Sequence, residues 1–370
     1  MKKIRVGILF GGKSAEHEVS LQSARNVLAA LDKDKYDVVL IGIDKAGKWH
    51  WHQDYVDFLN DGSPELVEFH SGAKELAVIP GSEAEQITDI SWEETPGRID
   101  VIFPVLHGPF GEDGTVQGLL KLANIPFVGA GVLGSAVGMD KDVMKRLLKA
   151  DGIPIADFLT YTYRDRETID YDEVTARLGS PVFIKPANMG SSVGISKASD
   201  AAGFREAVED AFQYDTKIII EEYIKGRELE CSVLGNENPI ASLPGEILPQ
   251  AEFYSYEAKY IDENGALLEV PARLPGEKVR EVQDLALKTY CSLCCEGMAR
   301  VDFFLKENGE LIVNEINTLP GFTRISMYPK LWEVSGLPCG KLIDRLIELA
   351  LERFRREQAL KTNVEIKRCE

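Results

Sequence analysis

A hairpin near the carboxyl end constrains the fold of this chain more than any other feature. The dipeptide Asn308-Gly309 separates two stretches that are rich in apolar residues. Asn-Gly in such a position is typical of a two-residue hairpin turn, because both residues tolerate positive φ angles. A two-residue turn would pair Glu307 with Glu310, and it would thereby fix the register of the two strands.

This register brings four polar side chains to one face of the hairpin. Counting back from the turn places Asp302 opposite Glu315 and Arg300 opposite Asn317, and alternation along each strand keeps all four on one side. The other face is predicted to be buried, because it carries the apolar residues Val301, Phe303, Leu305, Ile312 and Ile316.

Two opposed acids indicate a metal site. The Cβ atoms of directly opposed residues lie about 5 Å apart, so Asp302 and Glu315 would repel each other unless a positive charge lay between them. Mg²⁺ typically binds one or two protein carboxylates together with substrate phosphates. We therefore favour a bound divalent cation over the alternative, a solvent-facing strand edge with two accidental acids.

The rest of the chain divides into three predicted units. Residues 1–138 alternate short apolar stretches with helical periodicity, which is typical of a parallel sheet with helices on both faces. Within them, residues 53–97 are polar and acidic, and we interpret them as an irregular insertion with little core. The predicted fold class is α/β, in which this amino-terminal domain is followed by two α+β subdomains, 139–224 and 225–370.

Composition excludes several classes of function. The chain has 42 Lys and Arg against 60 Asp and Glu, a formal net charge of −18, so duplex nucleic acid is not an expected partner. No apolar stretch approaches the roughly 20 residues of a membrane-spanning helix, so no membrane partner is expected either. We interpret the basic residues 1–3 and the apolar stretch after them as a first strand rather than a secretory leader. The six cysteines lack zinc-site spacing and are expected to be inert thiols, which makes the cytoplasm the simplest location.

Two glycine motifs match nucleotide-binding patterns without meeting their physical requirements. Residues 7–14 match G-x-x-x-x-G-K-S, but Ile8, Leu9 and Phe10 continue an apolar strand where a P-loop wraps phosphate with backbone amides. Residues 129–134 match G-x-G-x-x-G, but no acid closes a second strand about 20 residues later. We interpret these last glycines as a tight connection between domains.

Two other segments could contact a nucleotide. Lys185 ends an apolar strand and precedes the glycine- and serine-rich segment 188–194, which suits an anion-binding nest as well as a plain hairpin turn. Glu221 and Glu222 end another apolar strand. There they could accept hydrogen bonds from adenine or ribose, or they could be ordinary surface acids.

Six segments, in order along the chain, together resemble the D-alanine–D-alanine ligases of the ATP-grasp superfamily. They cover residues 11–20, 107–114, 185–194, 257–260, 300–302 and 314–323. The long 53–97 segment departs from the smaller members of the family and does not touch these motifs. The resemblance implies the ATP-grasp fold, with ATP between the two later subdomains, and a homodimer.

The resemblance also implies a reaction. ATP phosphorylates the carboxylate of one D-alanine, the amine of a second D-alanine attacks the acyl phosphate, and phosphate leaves. The product, D-alanyl-D-alanine, is used in the bacterial cell wall. The implied small-molecule partners are D-alanine and ATP, and the implied cofactors are two Mg²⁺ (or Mn²⁺) ions.

Nucleotide, metal and oxyanion roles follow from the same resemblance. Asp302, Glu315 and Asn317 would carry the two metal ions, and Arg300 with the Gly321 backbone N–H would stabilise the oxyanion. The residues implied in ATP binding are Lys141, Lys185, Glu221, Glu222, Ile224, Glu228 and Lys259.

Substrate roles are implied in the same way. Glu16 would bind the ammonium group of the first D-alanine, and Ser326 the carboxylate of the second. Ser191 and Tyr260 would be linked to Glu16 by hydrogen bonds. His107 would lie near the carboxylate of the first D-alanine, although a neutral histidine that caps a strand end is an alternative.

Segment 250–266 has few aliphatic residues and fits a mobile lid, which would keep water away from an acyl phosphate. Tyr260 in this segment favours an amine as the acceptor, because members that make a D-alanine–D-lactate ester tend to replace it. The alternatives are another ATP-grasp ligase, with D-lactate or a different amino acid as the acceptor, and a nucleotide-binding regulatory module without catalysis. The presence of the acids, Arg300 and Lys185 argues against the regulatory module.

Overall fold

The computed structural model describes residues 2–52, 74–82, 85–91, 95–249 and 266–361. In this part of the chain the strands form three sheets, each built from its own stretch of sequence. Helix Lys141–Ala150 lies between the first and second stretches, and the side chain of Asp140 caps it by accepting a hydrogen bond from Val143 N. None of the helices within the described ranges is long and apolar enough to cross a bilayer.

The predicted amino-terminal sheet is present, but it is parallel only at Ile4–Gly11, Tyr36–Ile43 and Val101–Val105. The strands Trp49–His52, Lys74–Val78 and Ile87–Asp89 pair antiparallel, so the sheet is mixed. Its order is β5-β4-β3-β2-β1-β6, and β1 runs parallel to both β2 and β6. The residues of β1 are largely buried, as a parallel strand covered on both faces requires. The strands are β1 Ile4–Gly11, β2 Tyr36–Ile43, β3 Trp49–His52, β4 Lys74–Val78, β5 Ile87–Asp89 and β6 Val101–Val105. The helices of this unit are His17–Ala30, Thr115–Leu122 and Val132–Met139.

One prediction about this first unit is wrong, and one helix in it was not predicted. The described part of 53–97 is not a loop with little core, because β4 and β5 extend the sheet and bury Leu76 and Ile87 in its core. β4 has only one buried residue and the three residues of β5 are all buried, so neither strand shows an alternation in its sequence. The connection at 129–134 also runs into a helix, Val132–Met139, which the sequence analysis did not predict.

Glycine allows this connection to pack closely. A Cβ atom added at Gly134 would lie 2.7 Å from the Cys294 carbonyl oxygen, and one added at Gly297 would lie 3.0 Å from the Gly129 carbonyl oxygen. Residues 7–11 of the segment 7–14 belong to strand β1, as predicted, with Ile8 and Phe10 wholly buried.

The second sheet is antiparallel, with the order β7-β10-β8-β9. It has a separate core beneath helix Ala201–Tyr214. Its strands are β7 Phe158–Thr162, β8 Val182–Pro186, β9 Ser196–Ala198 and β10 Lys217–Glu222. A 3₁₀ helix, Tyr163–Thr168, and helix Tyr171–Leu178 complete this unit.

The third sheet has the order β14-β13-β11-β15-β16, and β12 pairs with β11. Helix Lys141–Ala150 contributes Met144 and Leu148 to the core of this sheet. The strands are β11 Gly226–Gly235, β12 Ile240–Ala241, β13 Gly245–Pro249, β14 Ala266–Glu269, β15 Gly297–Lys306 and β16 Leu311–Asn317. The later helices are Gly276–Ser292, Met327–Val334 and Cys339–Gln358.

One hydrophobic core joins the two ends of the chain. Apolar residues of β1 and β6 belong to the same buried cluster as one face of helix Cys339–Gln358. Arg353 of that helix is buried and donates hydrogen bonds to the carbonyl oxygens of Gly129, at 2.6 Å, and Phe127, at 2.7 Å. Its guanidinium carbon also lies 4.5 Å from the centroid of the Phe127 ring.

We expect Arg353→Met to lower the free energy of unfolding by about 2–4 kcal/mol, because two buried carbonyl oxygens lose their donor. Arg355→Met on the same helix is the control, since Arg355 is exposed, and it should change the value by less than about 0.5 kcal/mol. Urea unfolding followed by circular dichroism measures both. Equal effects of the two substitutions would contradict this role of Arg353.

Candidate active site

The carboxyl-terminal hairpin places its four polar residues as predicted, although by a different route. β15 and β16 pair Asp302 with Glu315 and Arg300 with Asn317. At the turn, however, Leu305 pairs with Leu311, and Lys306 N donates to the Glu310 carbonyl oxygen. The turn therefore has three residues, 307–309, with Gly309 at φ +86°. The predicted pairing of Glu307 with Glu310 is wrong.

A β-bulge between Asp302 and Phe303 corrects the register. Phe303 pairs with Val313 while Asp302 pairs with Glu315, so Asn314 is the extra residue of β16. The shorter register near the turn also puts Ile312 on the face of Phe304, with which it clusters, rather than on the face of the hairpin predicted to be buried. Our assignment of Ile312 to that face is wrong for this reason.

Two adjoining cavities, of about 420 Å³ and about 190 Å³, lie on this face of the hairpin. They share Gly190, Ser191, Glu228, Phe304, Asn314 and Glu315, so they form one cleft. Within the described residues, every predicted site residue lines it. The larger cavity contains Glu16, His107, Ser191, Glu228, Arg300, Asp302, Glu315, Asn317, Gly321 and Ser326. The smaller cavity contains Lys141, Lys185, Ser191, Glu221, Glu222, Ile224, Glu228 and Glu315.

Arg300 and Asp302 form a two-pronged ion pair on the cleft face of β15. Arg300 Nε and Nη2 each donate to one carboxylate oxygen of Asp302, both at 2.7 Å. Asn317 Nδ2 donates to Asp302 Oδ2 at 3.0 Å. Glu230 of β11 pairs with Asp302 across the ladder, and its Oε2 lies 2.9 Å from Arg300 Nε. Three carboxylates, those of Glu230, Asp302 and Glu315, therefore lie side by side across three strands.

Protein cations balance part of this negative charge. Arg300 faces two of the acids, and Lys141 Nζ lies 3.4 Å from Glu315 Oε2. A metal ion is therefore not the only positive charge that makes the opposed acids tolerable.

The donor set nevertheless fits Mg²⁺, which takes one or two protein carboxylates and completes its shell with water and phosphate oxygens. Asp302, Glu315 and Asn317 offer that chemistry at the cleft. Among the described side chains, no three from His, Cys, Asp and Glu form a ready-made metal cluster. The three residues thus remain the predicted ligands.

At one end of the cleft, two lysines share an acid. Lys185 Nζ lies 2.5 Å from Glu221 Oε2, and Lys145 Nζ lies 2.7 Å from Glu221 Oε1. Burial alone would raise the pKa of Glu221, but the two ammonium groups outweigh it and lower the pKa to about 2. Both carboxylate oxygens of Glu221 therefore face lysines, whereas the sequence analysis assigned this acid to the adenine or ribose.

An apolar lining suits the base of a nucleotide. Ile224 is buried in a cluster with Ala156 and Ile312, against which Phe304 packs. Next to this cluster Glu222 Oε1 accepts a hydrogen bond from Asp157 N at 2.8 Å. The smaller cavity thus presents apolar surface at one side and the lysines at the other.

The segment after Lys185 forms the predicted tight turn. Ser191 and Ser192 both have positive φ angles, +51° and +62°, which are uncommon for residues other than glycine. The turn brings the Ser191 hydroxyl to Glu16, where it donates a short hydrogen bond to Oε1. The implied Glu16–Ser191 contact is therefore present.

The position of the Glu16 carboxylate also depends on a glycine, at residue 108. Gly108 has φ +74°, and a Cβ atom there would lie 2.7 Å from Glu16 Oε2. His107 is buried, with Nδ1 at 3.2 Å from the Leu319 carbonyl oxygen and Nε2 at 3.4 Å from Ser23 Oγ. Burial lowers the pKa of His107, although Glu16 opposes this. The contacts fit a neutral ring whose Nδ1–H donates to Leu319.

The loop after β16 lines the far end of the larger cavity. Ser326 Oγ accepts from Thr323 N at 2.9 Å, and a Cβ atom at Gly321 would lie 2.8 Å from Ser326 Oγ. Because Gly321 has no Cβ atom, its backbone can lie this close to the Ser326 hydroxyl. Lys259, Tyr260 and the predicted lid 250–266 lie outside the described residues, apart from the backbone of 266.

Four charged residues at or behind the cleft were not predicted from the sequence: Glu112, Lys145, Glu230 and Lys330. Signals were present for two of them. Lys145 is one helical turn after Lys141 and so shares its helix face, and Glu230 alternates with Glu228 along a strand. Burial, together with the nearby charge of Glu16, raises the pKa of Glu112 to about 8, and Glu112 Oε1 accepts from Gly108 N at 2.7 Å.

Comparisons with known proteins agree with this geometry. Residues 5–130 match the family model "D-ala D-ala ligase N-terminus", and residues 147–348 match "D-ala D-ala ligase C-terminus". The chain belongs to the D-alanine–D-alanine ligase family.

Relatives of this family cover nearly the whole chain. A D-alanine–D-alanine ligase from Shouchella clausii is 57% identical over 98% of this chain and 99% of its own length. D-alanine–D-alanine ligase A from Escherichia coli K12 is 53% identical over 98% of this chain and 100% of its own length.

Two solved structures are similar as well. The D-alanine–D-alanine ligase from Coxiella burnetii has a TM-score of 0.86 and 41% identity, and covers 97% of both chains. The VanG D-Ala:D-Ser ligase from Enterococcus faecalis has a TM-score of 0.84 and 36% identity, over 94% of this chain and 100% of that chain. The predicted ATP-grasp fold is confirmed by these similarities.

We expect Asp302→Asn to lower ligase turnover by about 100-fold or more, because a charged group at the cleft is lost while the side-chain volume is kept. The thermal unfolding midpoint should stay close to that of the unsubstituted protein, since Glu230 still contacts Arg300. Glu310→Gln, on the exposed turn of the same hairpin, is the matched control. Near-normal turnover of the Asp302→Asn variant would remove Asp302 from the metal site.

The raised pKa of Glu112 predicts a pH-dependent stability. The folded protein keeps this proton up to about pH 8, whereas the unfolded chain releases it near the ordinary pKa of 4.5, so stability falls as the pH rises between these values. Glu112→Gln removes this pH dependence. The free energy of unfolding of the variant, relative to that of the unsubstituted protein, should therefore be about 1–3 kcal/mol higher at pH 8.5 than at pH 4.5. Unfolding curves across this range test it, with exposed Glu348→Gln as the control. Parallel pH profiles of all three proteins would contradict the burial of a protonated Glu112.

Proposed function

We propose that this chain is an ADP-forming ligase that joins two D-alanine molecules into D-alanyl-D-alanine for peptidoglycan precursor synthesis. One observation supports this most. A single cleft contains Glu16 held by Ser191 at one end, Arg300 beside Asp302 in the middle and the lysine-lined cavity at the other end. Membership of the D-alanine–D-alanine ligase family supports the same reaction.

In the first step the carboxylate of one D-alanine attacks the γ-phosphorus of ATP, and ADP leaves. Glu16 binds the ammonium group of this D-alanine, and His107 lies near its carboxylate. Lys141 and Lys185 neutralise the phosphates of ATP. Held by Asp302, Glu315 and Asn317, two Mg²⁺ (or Mn²⁺) ions would offset the charge of the transferring phosphoryl group.

In the second step the amine of another D-alanine attacks the acyl carbon of D-alanyl phosphate. The attacking nitrogen loses a proton, and the carbon–oxygen bond to phosphate breaks. Arg300 and the Gly321 N–H stabilise the oxyanion of the tetrahedral intermediate, and Ser326 binds the carboxylate of the incoming D-alanine. Tyr260 would be linked to Glu16 by hydrogen bonds, and segment 250–266 would form the lid.

The remaining ATP contacts belong to the apolar side of the smaller cavity. Glu222, Ile224, Glu228 and Lys259 are assigned to the base and ribose, whereas Glu221 acts at the phosphates through its ion pair with Lys185. We place the enzyme in the cytoplasm as a homodimer. The first assignment is supported by the cysteines of the described residues, which are all free thiols, and the second by family analogy alone.

A different acceptor is the second candidate function. The VanG D-Ala:D-Ser ligase shares 36% identity with 94% of this chain, so D-serine belongs beside D-lactate among the acceptors to be compared.

The test measures phosphate release from ATP and identifies the product by mass spectrometry. The reactions contain no amino acid, D-alanine alone, or D-alanine with an excess of D-serine or D-lactate. We expect phosphate release that requires D-alanine, with D-alanyl-D-alanine as the main product in every reaction that contains it. Phosphate release that does not depend on D-alanine would contradict the proposal. A main product that joins D-alanine to D-serine or D-lactate would favour the second candidate.

A further inference from the structure

Lys145 is a buried lysine for which the proposed reaction has no use. It lies on helix Lys141–Ala150, and its side chain is 1% exposed. Its ammonium group lies 2.7 Å from Glu221 Oε1 and 5.9 Å from the centroid of the Phe158 ring. Burial lowers the pKa of Lys145, and Glu221 opposes this. Burying a charge in this way is costly unless the charge serves a partner.

That partner is shared with a lysine of the cleft. The second oxygen of the Glu221 carboxylate lies 2.5 Å from Lys185 Nζ. Lys185 lines the smaller cavity, whereas Lys145 lies on the far side of Glu221 and does not line either cavity of the cleft. The three residues therefore form a chain in the order Lys145, Glu221, Lys185, with only one cationic end at the ligand.

The net charge of Lys145, Glu221 and Lys185 together determines how strongly these side chains attract a negatively charged ligand. With both lysines protonated, the three groups carry a net charge of +1. Without Lys145, the Glu221 carboxylate would neutralise Lys185, and the net charge of the remaining pair would be zero. A salt bridge that served only to stabilise the fold would need one lysine, not two.

We propose that Lys145 is a positioning residue for nucleotide binding, which holds and neutralises Glu221 so that Lys185 presents to the phosphates of ATP a positive charge that Glu221 does not cancel. The inference rests on the proposed assignment of this cleft to ATP. It does not depend on which acceptor the enzyme uses.

The test compares the affinities of ATP and adenosine, measured by calorimetry in the same Mg²⁺ buffer. Adenosine lacks phosphates, so the ratio of the two dissociation constants isolates the phosphate contribution. We expect Lys145→Met to weaken ATP binding by about 10- to 100-fold, because one full charge is lost near the phosphates. Adenosine binding should change by less than about twofold.

Two variants control for charge and for packing. Lys149→Met removes a lysine from the same helix, but Lys149 is exposed, so ATP binding should stay as in the unsubstituted protein. Lys145→Arg keeps the charge and should retain most of the affinity for ATP. A loss that is equal for ATP and adenosine would show a merely structural role and would overturn the inference, as would unchanged ATP binding of Lys145→Met.

A double variant keeps the test decisive if Lys145→Met does not fold. Lys145→Met combined with Glu221→Gln leaves no lone buried carboxylate, and residue 221 no longer cancels the charge of Lys185. The ratio of ATP to adenosine affinity should then return close to that of the unsubstituted protein. A ratio that stays low in the double variant would contradict the proposal.

The outcome is separable from that of the proposed function. Dipeptide synthesis by the unsubstituted protein tests the reaction, and the affinity ratio tests Lys145. An active ligase whose Lys145→Met variant binds ATP normally would overturn only the inference, whereas an inactive protein with the expected ratio would overturn only the ligase assignment.

Discussion

The site depends on a single extra residue in the ladder between β15 and β16. Side chains alternate along a strand, so a slip of one residue sends every following side chain to the opposite face. The three-residue turn alone would set Asp302 and Glu315 on different faces of the sheet. The bulge at Asn314 adds the missing residue and returns Glu315 and Asn317 to the face of Arg300 and Asp302. Backbone geometry thus decides whether the two acids share one cleft.

Charge balance is the second condition, and the cleft meets it with alternating signs. Lys145, Glu221 and Lys185 form one alternating chain, and Glu230, Arg300 and Asp302 form another. Such chains hold charged side chains in fixed positions before a ligand arrives, so less ordering is needed when it binds. In this way a protein of net charge −18 keeps lysine ammonium groups at the surface of a cleft whose lining also contains several acids.

Sequence patterns predicted the elements better than their junctions. The strand of Lys185, the helix that begins at Lys141 and the pairing of Asp302 with Glu315 follow from local periodicity and are present. The bulge could not be predicted, because no propensity in the hairpin specifies it. The pairing at Asp302 was predicted correctly only because two errors cancelled: a turn one residue too short and the missing bulge. The strands within 53–97 were missed because their few buried residues give no alternation. Glu230 and Lys145 were missed because their importance lies in partners distant in sequence.

The core that joins the two ends of the chain has a consequence for biosynthesis. β6 contacts helix Cys339–Gln358, which lies far later in the sequence, so the first sheet of a nascent chain lacks part of its apolar cover until that helix has been made. The strands of this sheet must therefore wait for a much later helix. During that interval the uncovered side of the sheet is a surface for chaperones to shield.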